Sequence, residues 1–162
     1  MSCLGVHFSI DNATAQRLLA AADDDALGDV VEEIEEAWDE DRCFETDKAW
    51  DAIHRCFSDG TLDLSRGKPP LNLCIFGGKV LNEKSDYWVV LLDPGEVAAV
   101  ATALANVTRA WLRERYDTLD FPGYPNKSDD DLEYTWSNFK GMPEFFARAA
   151  AEGRHVIFTV DQ

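Results

Sequence analysis

Within TDKAWDAIHRCF, four side chains capable of chemistry fall close together: Asp47, Lys48, Asp51 and His54. On a helix, positions 47 and 51 are i, i+4 and positions 51 and 54 are i, i+3, so both carboxylates share a face and Asp51 comes within reach of the His54 ring. A carboxylate so placed orients the imidazole and raises its pKa, as an orienting group does for a general base. His54 is therefore the candidate base, Asp51 its orienter, and Lys48 the group to hold an anion on a substrate. His54 also stands four residues past Trp50, at the margin of the apolar face, where a histidine serves equally as a half-buried core member bonded to a neighbour.

Other chemistries lack their residues. No G-x-S-x-G frames Ser58 or Ser65 as a nucleophile, and GKPPLNLCIFGG holds glycines but neither phosphate-cradling spacing. His7, His54 and His155 fall in three different elements, and the acidic runs at 23–25 and 129–131 lack the glycine and closing glutamate of a calcium loop. No metal site and no cofactor is expected. Cys3, Cys43, Cys56 and Cys74 show no C-x-x-C and each adjoins an apolar residue, the pattern of buried thiols in a reducing compartment.

The elements that must position the cluster follow from periodicity. GVHFSI (5–10) alternates as a strand, and Asp11 caps a helix over ATAQRLLAAA with a stripe of Leu18, Leu19 and Ala22. Residues 23–41 read as one amphipathic helix, Val30, Val31, Ile34 and Trp38 inward and Glu32, Glu33, Glu35 and Glu36 outward. After a break at Asp39 to Phe44, a helix over 45–57 is capped by Thr46 or Asp47 and turns Trp50, Ile53 and Phe57 to one side. The Gly- and Pro-rich stretch 60–86 reads as a structured loop around LNLCIF. YWVVLLD (87–93) suits a strand buried on both faces, and Asp93-Pro94 starts the next helix. VTRAWLRERYDTL is a further helix, FPGYPNKSD a loop, and 128–152 a helix kinked or split at Gly141-Met-Pro143. RHVIFTVD is the last strand, Val156, Phe158 and Val160 opposite Ile157 and Thr159. Three strands among five or more helices give an α/β fold: one compact domain over 1–162, a small mixed β-sheet covered by helices.

The 162 residues carry Lys+Arg 15 against Asp+Glu 31, a net charge of -16. Such a chain repels nucleic-acid phosphates and anionic lipid surfaces, so neither is an expected partner. The absence of a basic leader or an eighteen-residue apolar run reads as a soluble, cytoplasmic protein. Residues 1–46 hold thirteen acidic and two basic groups, net -11, and residues 47–162 hold eighteen and thirteen, net -5. The charge is concentrated.

TDKAWDAIHRCFSDG, KPPLNLCIFGGKVL, LLDPGEVAAVATAL, FPGYP and FFARAAAEGRHVIFTV, in this order, resemble the YfbM-like family, a bacterial domain of unknown function. The distinctive piece is D-K-x-W-x-x-x-H-x-x-x-x-x-G, here Asp47, Lys48, Trp50, His54 and Gly60; Pro70, Leu71, Gly77, Gly78 and Tyr124-Pro125 match further parts of the pattern. The resemblance implies a three-layer α/β domain in the bacterial cytoplasm and no established activity. Gly141 and Pro143 depart from the uninterrupted helix expected of the family.

Two functions remain open. In the first, an acidic binding or regulatory module engages a basic partner protein. In the second, loop 67–79 folds over helix 45–57 to form a cleft for a small molecule. That cleft is lined by Lys48, Trp50, Asp51 and His54 and walled by the Gly77-Gly78 backbone, with His54 as the base of a hydrolase-like reaction and Asp47 and Tyr124 as further binding candidates. Neither reading sets an oligomeric state.

Overall fold

The computed structural model describes residues 3–82, 86–125 and 127–161. Residues 83–85 of the stretch 60–86 and Asn126 of FPGYPNKSD therefore lie outside the described residues. The frame is a five-stranded sheet in the order β2-β1-β5-β4-β3, formed by β1 (Gly5–Ile10), β2 (Cys43–Asp47), β3 (Lys79–Val80), β4 (Tyr87–Leu92) and β5 (His155–Asp161). Every strand pair is antiparallel, so the sheet is not the mixed one that alternating strands and helices lead one to expect. The reason is topological: the long helical connections, from β1 to the edge strand β2 and from β4 to the central strand β5, each bring the chain back antiparallel beside the strand it left, so no strand–helix–strand crossover joins two parallel neighbours.

Side chains alternate across the sheet and feed two cores. On one face Phe8, Ile10, Val89, Leu91 and Ile157 meet Ala15 and Leu18 of α1 (Asn12–Ala20) and Leu27, Val30 and Val31 of α2 (Asp24–Ala37). On the other, Val90, Leu92, Val156, Phe158 and Val160 face the larger core. It is built from α3 (Trp50–Cys56), α4 (Pro94–Leu104), α5 (Arg109–Thr118), α6 (Asp129–Phe139) and α7 (Met142–Ala151). The result is three layers, helices on both faces of the central sheet.

Caps sit where short polar side chains precede apolar periodicity. Asp11, Asp23, Thr108 and Ser128 each accept a first-turn N–H, and Asp93 forms a full capping box with Glu96 ahead of Pro94. The long C-terminal helix is split into α6 and α7, with Pro143 taken into the first turn of the second. Two boundaries move. α2 ends at Ala37, so Trp38 leaves the helical stripe and lies 40% exposed, in an edge-to-face contact with Phe8 at 5.8 Å between ring centres. The segment 43–47, expected as loop and helix cap, is strand β2; α3 begins only at Trp50.

Candidate functional site

β2 and α3 meet at a sharp corner. Asp47 has φ +51, Thr46 Oγ1 donates to Gly5 O (3.0 Å), and the Trp50 indole N–H donates to Cys3 O (2.8 Å). A side chain on Gly5 would meet Thr46 Oγ1 at 2.6 Å and Trp50 Cδ1 at 2.8 Å, so glycine is what lets the corner close on β1. This corner delivers Lys48, Trp50 and Asp51 to a cleft of about 580 Å³, completed by Cys3, Leu62, Tyr124, Pro125, Asp131 and Tyr134.

Four of the sequence-derived binding and catalytic candidates, Lys48, Trp50, Asp51 and Tyr124, thus line one cleft. Asp47 stands beside it, bonded to the Tyr134 hydroxyl, which also accepts the Lys48 N–H (3.0 Å). Gly77 and Gly78 are not in its wall: Gly77 lies against the Asn72 backbone, and Gly78 against Leu91 O and the Leu92 side chain. The loop does fold back over α3, but it brings Phe76 there. That ring makes edge contacts with Trp50 (5.4 Å), His54 (5.4 Å) and Phe158 (5.7 Å), closing the core where a cleft was expected.

His54 is fully buried and points into that aromatic cluster. Its Nε2 lies 3.1 Å from Asp63 O, and since a carbonyl only accepts, the proton sits on Nε2. Nδ1 is buried and has no hydrogen-bond partner among the described residues. The expected Asp51–His54 bond is replaced by an ion pair from Arg55 Nε to Asp51 Oδ1 at 2.5 Å. The expected rise in the His54 pKa is reversed as well: burial pushes it down, outweighing the Asp63 carbonyl and the Asp51 charge.

Arg55 is the organising cation, 4% exposed. It binds Asp51, donates through Nη1 to Gly60 O (3.2 Å) and Pro122 O (2.8 Å), and lies 5.4 Å from the centre of the Tyr124 ring. Across the cleft, Asp131 in the first turn of α6 accepts the hydroxyls of Tyr116 (2.6 Å) and Tyr124 (2.8 Å). Burial and these bonds to a carboxylate push both phenols well above the usual tyrosine range. Two carboxylates are therefore locked in place beside aromatic rings. Among the described residues, no group of three or more His, Cys, Asp or Glu side chains is arranged to hold a metal ion.

Sequence reasoning missed Arg55, Asp131 and Tyr134. Asp131 was legible only as favourable charge at a helix N-terminus, and nothing local ties residue 131 to residue 124 or 51.

Residues 1–159 match the model of a family described as a domain of unknown function, DUF1877. The chain belongs to the DUF1877 family. Its fold is similar to the crystal structure of YfbM from Escherichia coli, described as a protein of unknown function, with a TM-score of 0.69 and 22% identity over 97% of this chain and 99% of that one. No curated protein matches this DUF1877 chain. The implied three-layer architecture and YfbM-like membership both hold.

Proposed function

We propose that this DUF1877 protein is a binding module of the bacterial cytoplasm that engages a basic protein partner, with one lysine or arginine side chain of that partner seated in the cleft beside Trp50. The observation that carries this reading is the lining: Asp131, which enters no ion pair among the described residues, is held by two tyrosine hydroxyls, Asp51 is fixed beside it with its charge shared with Arg55, and Trp50, Tyr124 and Tyr134 supply ring surface. Carboxylates and aromatic faces together suit a cation with an aliphatic stem. The net charge of -16 speeds the approach of a basic surface. Four free cysteines accord with a reducing compartment.

Catalysis through His54 draws no support from the geometry, since its one bare lone pair faces the core. The test is an NMR titration of the full chain with an acetylated Gly-Lys-Gly amide and its norleucine counterpart. The lysine peptide is expected to shift the Trp50 indole and Tyr134 signals, and Asp131→Asn to weaken it about tenfold, the loss of roughly 1.4 kcal/mol. Equal response to the norleucine peptide, or an unmoved Trp50 indole, sinks the reading.

A further inference from the structure

A second pocket, of about 620 Å³, opens between the C-terminal end of α3, the 67–71 turn and α5. Its sign is opposite to that of the molecule. Lys68 and Arg115 line it, and Asp59, the one carboxylate among its described lining residues, is held by Arg66 at 2.6 Å. Arg115 donates from Nε to Cys56 O (2.9 Å) and from Nη2 to Ser58 O (2.5 Å), and its guanidinium lies 5.6 Å from the centre of the Trp111 ring. Those bonds cap the Cys56 carbonyl at the end of α3 and the turn just after it and fix the side chain, yet carbonyls do not neutralise its charge. Neither Arg115 nor the exposed Lys68 enters an ion pair among the described residues.

Ser58 adds an independent observation. It lines the same pocket at 6% exposure, and its hydroxyl finds no hydrogen-bond partner among the described residues. A buried donor left unsatisfied is uncommon and calls for an acceptor. The remaining lining is apolar: Phe57, Trp111, Leu71 and the Pro69-Pro70 pair.

We propose that this pocket binds a small organic oxyanion, a carboxylate or phosphate carried on an apolar or aromatic body, with the anionic group beside Arg115 and Lys68 and the body laid on Phe57, Leu71 and Trp111. A fixed guanidinium beside an exposed ammonium suits an oxyanion, and the ring surface selects against hydrated inorganic ions. The site is independent of the cleft beside Trp50, so either can fail without the other.

The test is titration of the full chain with benzoate, phenyl phosphate and uncharged benzyl alcohol, followed by amide and indole NMR signals. Saturable shifts are expected at Trp111, Ser58 and Gly67 for one or both anions, with a millimolar or tighter Kd. Whichever anion binds more tightly identifies the headgroup. Lys68→Gln, at an exposed position outside the core, is expected to weaken binding about fivefold, the loss of one partly exposed charge contact. The proposal is overturned if neither anion gives saturable shifts there, if benzyl alcohol does as well, or if Lys68→Gln binds unchanged.

Discussion

At the level of single residues, the chain spends its histidines on packing. His7, fully buried, bonds Cys74 O through Nε2 at 2.6 Å and sits among Phe145, Phe146 and Phe158; burial lowers its pKa from 6.5 to about 4. His54 is shifted in the same direction. A depressed folded-state value means that the neutral ring supports the native state in full above about pH 6.5. Support is then lost as the pH falls toward 4, because only the unfolded chain takes up the proton in that window. At about pH 5 the His7 contribution to the loss is roughly 2 kcal/mol. Urea unfolding at pH 7.5 and pH 5 is expected to show a smaller acid-induced drop for His7→Gln than for the natural chain. Equal drops would mean that His7 is not the titrating group. The same residue scale explains the misassigned Asp51 contact. Asp51 is three residues from His54 and four from Arg55, so spacing allows either partner; the longer, always-charged arginine takes it, and the imidazole is left to the core.

Elements were legible where periodicity ran long. The strands at 5–10, 87–92 and 155–161, the capped helices and the split at Gly141 were all readable from patterns spanning six residues or more. β2 and β3 were not, because a five-residue and a two-residue edge strand carry too few alternations to outweigh the helical period of the neighbouring DKAWDAIHRCF. The cleft was half legible for the same reason: Lys48, Trp50 and Asp51 share one local run, whereas Asp131 and Tyr134 arrive from α6 through tertiary packing alone. Gly60 in the family pattern now has its cause at this scale. It turns the chain out of α3 with φ +93, offers its carbonyl to Arg55, and a side chain there would meet Asp120 O at 2.1 Å. Gly123 also has positive φ (+76) but nothing within 4 Å of an added Cβ. Gly123→Ala is therefore expected to cost about 1 kcal/mol of backbone strain. Gly60→Ala is expected to cost about 3 kcal/mol or more, strain plus a clash with backbone that cannot give way. Denaturant midpoints of the two variants decide this, and similar losses would refute the steric account of Gly60.

For the whole molecule, charge is the property that organises behaviour. Its densest part lies on α2, where Glu32, Glu33, Glu35 and Glu36 are exposed; Arg17 meets Glu33 at 2.8 Å and the Tyr87 hydroxyl meets Glu35 at 2.5 Å. α2 also ends with no basic residue in its last turn, so the glutamates there oppose the negative end of the helix dipole. Like charges packed on one face push against the compact state, and salt relieves that push over distances beyond roughly 8–10 Å. Raising sodium chloride from about 20 to 300 mM should therefore stabilise the chain. Glu36→Lys should add a few tenths of a kcal/mol at low salt, by removing one repelling charge and complementing the dipole, and most of that gain should vanish at high salt. Urea unfolding of both chains at the two salt concentrations measures the difference. A salt-independent gain would point to local packing at position 36 and against a molecule held under its own electrostatic tension. Because the cleft beside Trp50 lies across the sheet from α2, Glu36→Lys should leave lysine-peptide binding there within about twofold, separating the long-range field from the contacts that recognise the side chain.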